Sequence, residues 1–242
     1  MAIRKPILLI HWGNPSQEYD EIEEIKLLLE VYLFGGSIAK QRRLAPRMSP
    51  CRIRQPDVLT FQARLRTALK WRDNLQILYL SAHGSENQFC YDRNITSSVT
   101  YSSISQMLAK YLHPDNCVHV IFGSCGAMSP THRIERCMPN QVHCVSGFTK
   151  EPTAADVSAL LASIIEGDVS LFQKLSKCNV RICKDGISPE VATNSLTRRW
   201  NSILQRHKEN PLRRVLGTGG EQVVTVKRNV RGHWHRRTTA CT

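Results

Sequence analysis

Two short runs rich in β-branched and aromatic residues, Ile77 to Ala82 and Val118 to Phe122, limit the folds open to this chain more than any other feature. A strand with one face in water alternates apolar and polar side chains. A run that is apolar at nearly every position needs cover on both faces, as the central strands of a parallel sheet do. Small or glycine residues close both runs, in His83-Gly84 after the first and Gly123-Ser124-Cys125-Gly126 after the second. Between them Ile104, Met107, Leu108, Tyr111 and Leu112 recur at helical spacing. Residues 101–112 are therefore expected to form the crossover helix of a β-α-β unit.

The alternation extends in both directions. Pro6 to Trp12 reads as a first strand, and Glu18 to Phe34 as an amphipathic helix whose acidic first turn suits the helix dipole. Gly35 to Asp57, rich in proline and arginine, reads as a surface loop with a short second strand. Val58 to Trp71 resumes a helical pattern. Ser129-Pro130 opens a short helix, His143 to Phe148 forms the next strand, and Val157 to Glu166 the next helix. The fold class is α/β, with helices on both faces of a mostly parallel sheet. A chain of 242 residues can bury one substantial core and a small addition. Residues 1–175 are read as that core and 176–242 as a C-terminal extension. Leu171 to Leu175 reads as a helical stretch at the end of the core, and in the extension β-prone Val180 to Cys183 precedes a long amphipathic helix over Pro189 to His207. Gln222 to Val226 is expected as a strand at the sheet edge, where Lys227 and Arg228 would discourage further pairing.

In an open α/β sheet the carboxyl ends of the strands form the crevice where ligands bind. His83 and Cys125 stand at two such ends, and folding would turn their sequence separation of 42 into proximity on neighbouring strands. The thiolate, not the thiol, is the nucleophile, and an imidazole within reach can take the proton. The alternative is structural: a buried small cysteine and a satisfied polar histidine. Two matching strand-end contexts favour the catalytic pairing.

The segments LYLSAHG and VIFGSCGA resemble the caspase-like cysteine peptidases, which include caspases, metacaspases, gingipains, separase and bacterial CHAT domains. The resemblance spans about residues 5–175 and implies a caspase-like α-β-α sandwich. It carries over His83 as general base or orienting residue and Cys125 as nucleophile, with the backbone N–H groups of Gly84 and Cys125 as oxyanion hole. Val145 to Asp156 and the helix after it look like the next strand, loop and helix of separase and CHAT proteins, whose loop helps wall the substrate cleft. The candidates for the specificity pocket are Phe148, Glu151 and Asp156. A carboxylate there implies cleavage after Arg or Lys. Asp156 suits equally well the first turn of a helix. The caspase pentapeptide around the cysteine is absent, so aspartate specificity is not implied. Several relatives stay inactive until a partner or signal arranges their loops. The function implied is thus a regulated endopeptidase acting on protein substrates in a prokaryotic defence or cell-death pathway.

Charge and thiol chemistry bound the remaining classes. The formal net charge is +13, and residues 195–242 hold eleven Lys or Arg against two Glu. With Trp200, His233, Trp234 and His235 interleaved, this stretch reads as a solvated basic face or an extension that docks on an acidic protein, with nucleic acid the weaker alternative because no binding motif for it is present. A catalytically inactive interaction module and a nucleic-acid-associated protein are therefore the alternatives to a peptidase. Nine cysteines without compact repeated spacing are expected as reduced thiols. Cys117, His119, Cys125, His132, Cys137, His143 and Cys144 crowd one stretch but form no C-x-x-C knuckle, so no metal is expected. No P-loop or G-x-G-x-x-G occurs, and Gly217 to Gly220 is a flexible turn, so no cofactor is expected. The sequence has neither an apolar run of membrane-spanning length nor a signal-peptide cleavage pattern, which suggests a cytoplasmic protein with no membrane contact.

Overall fold

The apolar runs become strands whose side chains alternate between two helix-covered faces. The computed structural model describes residues 7–13, 22, 25–26, 28–29, 48–70, 72–85, 87–92, 97–124, 127, 134–149, 152, 154–166, 182–183, 186–187, 221–228 and 233–241. Its strands are β1 (Ile7–Trp12), β2 (Met48–Ile53), β3 (Ile77–Gly84), β4 (Gln88–Cys90), β5 (Ser98–Thr100), β6 (Val118–Phe122), β7 (Val142–Phe148), β8 (Ile182–Cys183), β9 (Gly186–Ile187), β10 (Glu221–Arg228) and β11 (Trp234–Cys241). The helices are α1 (Val58–Lys70), α2 (Tyr101–Tyr111) and α3 (Ala154–Glu166), with a short 3-10 turn at Ile134–Cys137. Residues 22, 25, 26, 28 and 29 are also helical. The helix read over 189–207, the glycine turn at 217–220 and most of the basic loop before β2 lie outside the described residues.

The central sheet runs β11-β10-β7-β6-β3-β1-β2. From β2 to β7 every neighbouring pair is parallel, and β10 and β11 add antiparallel strands beyond β7. Leu8, Ile10, Trp12, Leu78, Leu80, Val120 and Phe122 pack on one face against Phe61, Leu65 and Leu69 of α1 and Ile104 and Leu108 of α2. Ile7, Leu9, Ile77, Tyr79, Ile121 and Phe148 pack on the other against Ile22, Ile25, Leu29 and the α3 residues Val157, Leu160 and Leu161. Period two along the strands therefore feeds two cores, which is why β1, β3 and β6 read as continuous apolar runs.

The helix ends follow from local chemistry. Asp57 caps α1 by accepting the Thr60 N–H at 2.6 Å, and hydrogen bonds from Thr60 hold its carboxyl below the usual range. Thr100 caps α2 by accepting the Ser103 N–H at 3.1 Å. Buried Asn116 ties two turns together, accepting from the Leu75 N–H at 3.2 Å and donating to the Arg72 carbonyl at 2.8 Å.

The placement of the last strands corrects one expectation. β10 is interior, because Val223 to Lys227 pair with β7 and Lys227 and Arg228 continue the ladder with β11. A cation blunts an edge only while its side chain has nowhere better to go. Arg228 donates to Asn140 Oδ1 at 2.7 Å and to the Met138 carbonyl at 2.9 Å, and lies 4.5 Å from the Trp234 ring centroid. The basic C-terminal strands are thus continuous with the sheet that carries His83. Among the described residues no helix is long and apolar enough to cross a membrane.

Candidate active site

The strand order fixes where a crevice can open. After β1 the chain steps outward to β2 and then returns to β3 on the far side of β1, so the direction of winding reverses between β1 and β3. The helical residues after β1 and the helix α1 after β2 consequently lie on opposite faces. They diverge at the carboxyl ends of β1 and β3, the switch point where open α/β sheets bind ligands. His83 and Gly84 are the last two residues of β3.

Strand alternation puts His11, Ser81 and His83 on the face that carries Tyr79. His11 and Ser81 are opposite one another in the β1–β3 register, with His11 Nδ1 3.2 Å from Ser81 Oγ. His83 is partly exposed, as the last residue before Gly84 should be. Beyond Leu80, β3 leaves its pairing with β6 and turns into a hairpin, with His83 opposite Cys90 and Gly84 opposite Phe89. Cys90 is the described thiol nearest His83 in register. Burial and Asp92 push that thiol up, which suits packing better than nucleophilic attack.

The ends of β3 and β6 meet. A Cβ added at Gly84 would stand 2.6 Å from Ser124 Cβ and 3.2 Å from the Gln88 carbonyl oxygen, so only glycine permits the approach. Tyr101, buried at the first position of α2, bridges the same two ends. Its hydroxyl donates to the Ser85 carbonyl at 3.3 Å and lies 2.8 Å from Ser124 Oγ, which is free to donate to it in turn. Behind this bridge Trp12, Phe61, Phe89, Tyr101 and Phe122 form an aromatic layer, with Trp12 stacked on Phe61 at 4.5 Å and Tyr101 edge-on to Phe122 at 5.3 Å. Trp12 donates its indole N–H to the Gln55 carbonyl at 2.8 Å. On the opposite face the ring of buried Tyr79 occupies the space a side chain at Gly123 would need.

Cys125, with the Gly126 beside it, lies outside the described residues, as does Glu151. Ser124 and Ala127 on either side of the cysteine are fully buried. Phe148 ends β7 with its ring fully buried in the α3 core, and Asp156 sits in the first turn of α3 with 2 % exposure. The burial of Asp156 favours the first-turn carboxylate reading over direct contact with a substrate. No cluster of three or more His, Cys, Asp or Glu among the described residues could hold a metal ion.

A second polar group sits at the other end of the same face. His119 is 8 % exposed, and its Nε2 is 2.7 Å from Ser146 Oγ. Burial, with smaller contributions from His143 and Lys227, pushes its pKa down to about 3. The neighbouring Cys144 thiol is pushed up by burial to about 12. Burial thus favours the neutral form of both groups.

His11, Ser124 and Tyr101 are the site residues that sequence reasoning passed over. His11 carries a legible signal, the polar residue that interrupts the apolar face at the end of PILLIHW. Tyr101 carries none, since an aromatic at a helix start reads as core. No protein-family model and no curated protein matches this sequence.

Proposed function

We propose that this chain is a caspase-like cysteine endopeptidase with Cys125 as nucleophile and His83 as its base. The observation that carries the reading is the contact between Gly84 and Ser124, the residues adjoining His83 and Cys125 in sequence, at the ends of two neighbouring parallel strands. Side chains carried on strand ends this close can reach one another, and such proximity is what proton transfer between them requires. The location at the carboxyl ends of the strands, beside the switch point, adds to it.

In the proposed reaction His83 takes the Cys125 proton and the thiolate sulfur attacks the scissile carbonyl carbon. The carbonyl π pair moves onto oxygen, where the N–H groups of Gly84 and Cys125 receive the charge. Collapse of that intermediate breaks the C–N bond, and the His83 imidazolium gives its proton to the leaving amine. A water, deprotonated by His83, then releases the acyl group and restores the thiol. A peptide with a basic side chain before the scissile bond remains the first substrate class to test, with Glu151 the candidate acidic partner and buried Asp156 a first-turn carboxylate.

The test is cleavage of fluorogenic peptides ending in Arg, Lys, Asp or Asn by wild type and Cys125→Ala. Turnover of the Arg or Lys peptides that vanishes in Cys125→Ala supports both chemistry and specificity. Turnover that persists in Cys125→Ala contradicts the assignment of the nucleophile. Silence in both proteins favours the interaction module, in which the same strand ends present a surface without chemistry.

A further inference from the structure

The helices α1 and α2 lie side by side on one face of the sheet, each connecting parallel strands, so both run opposite to those strands. Their C-termini therefore meet at the end of the sheet remote from His83. Between them is a cavity of about 400 Å³ lined by Arg66, Lys70, Lys110, Tyr111, His113 and Pro114, together with Leu112. Two of its cations converge on one ring: the Arg66 guanidinium carbon is 5.9 Å and Lys110 Nζ 5.7 Å from the Tyr111 centroid. Among the described residues no carboxylate belongs to the lining. Asp115, 3.6 Å from His113 Nδ1, is 86 % exposed and stands on the solvent side.

Basic residues at helix C-termini have an ordinary explanation, since they complement the dipole and cover the last carbonyls. Here other groups do part of that work. Arg72 donates its Nε–H to the Ala68 carbonyl at 3.0 Å and its backbone N–H to the Leu69 carbonyl at 3.1 Å, closing α1. The Leu112 N–H closes α2 on the Leu108 carbonyl at 2.9 Å. Arg66 lies a full turn before the end of α1, too far back to cap it. Arg66 and Lys110 thus gather at one ring without serving as the caps that close either helix, and an anion among them would relieve their mutual repulsion.

We propose that this cavity binds a small molecule carrying more than one phosphate group. Arg66 offers a planar fork suited to two phosphate oxygens, and Lys70 and Lys110 add point charges that a polyanion can bridge. The volume lies within the range of small-ligand sites, and the cations ring one concavity rather than track along a surface as a nucleic-acid backbone would require. The site stands apart from the peptidase reading and survives its failure.

The probe is pyrophosphate, titrated calorimetrically into the full chain at fixed ionic strength, with sulfate as the monomeric anion. Arg66→Gln/Lys110→Gln removes two cations from exposed positions, and Lys227→Gln removes one from β10 as a control for net charge. Saturable pyrophosphate binding, tighter than sulfate and weakened about tenfold or more in the double variant but not in Lys227→Gln, is expected. Binding that is unsaturable, matched by sulfate, or equally reduced by Lys227→Gln overturns the site. A single-stranded oligonucleotide that binds more tightly than pyrophosphate and loses affinity in the same double variant overturns the small-ligand assignment. Circular dichroism of each variant guards against loss of fold, and the single Lys110→Glu reversal gives an independent second reading in the same direction.

Discussion

His11 with Ser81 and His119 with Ser146 are both imidazole–hydroxyl pairs on the same face of one sheet, at opposite ends of its strands. The first lies at the carboxyl end, half-buried beside His83, where the strands run out of cover. The second lies under full cover, and burial keeps its imidazole neutral down to about pH 3. The residue types are the same; the position along the strand decides how much of each imidazole meets solvent. A histidine under full cover is part of the core, and one at the carboxyl rim is partly open to solvent.

The sharpest contrast is kinetic. His83→Ala is expected to lower kcat/KM about 10²- to 10⁴-fold with the fold intact, the usual contribution of a general base. His119→Gln should leave the kcat/KM of the folded protein unchanged. A kinetic loss of the same size from His119→Gln would erase the distinction between rim and core.

The next effect is on stability against pH. The folded pKa of His119 is depressed from the ordinary 6.5 to about 3, so its stabilising contribution is fully present above pH 6.5. Below that the unfolded chain takes up a proton that the folded chain refuses, and stability falls until the pH reaches the folded value. His143 is shifted down for the same reason and acts in the same direction. At up to about 1.4 kcal/mol per pH unit, His119 alone costs roughly 3 kcal/mol by pH 4. Urea midpoints measured from pH 7 to pH 4 should fall less steeply in His119→Gln than in wild type. Parallel slopes would show that the imidazole takes up its proton without unfolding.

A smaller effect separates positioning from packing at the rim. Tyr101→Phe leaves the Ser124 hydroxyl and Ser85 carbonyl without the phenol and should cost about 1–3 kcal/mol. Adding Ser124→Ala removes a second member of the network and should recover part of that stability. If Tyr101 holds the two strand ends in register, kcat stays about tenfold down in the double variant while KM is retained. A kcat that recovers along with stability would make Tyr101 a packing residue only.

Much of the fold was legible because the strands are buried on both faces. β1, β3, β6 and β7 and the helices α1, α2 and α3 fall within a few residues of where apolar periodicity puts them. The β4–β5 hairpin escaped notice because three-residue strands leave no periodic trace. β10 was recognised as a strand but not as an interior one, because the partners of Arg228, at Asn140 and Met138, are distant in sequence. Of the candidate site, His83-Gly84 was legible from the small residues that end an apolar run. Tyr101 and Ser124 were not, since a hydroxyl pair formed across 23 residues leaves no local pattern.

The most direct test of the account is the rate of Cys125 alkylation by iodoacetamide against pH, resolved by mass spectrometry from that of exposed Cys117 and Cys137. Cys125 is expected to react faster than both, with a midpoint below the roughly 8.5 of a free thiol, and His83→Ala to return that midpoint to the free-thiol range. A Cys125 that reacts no faster than Cys117 and is unmoved by His83→Ala would contradict the catalytic pair.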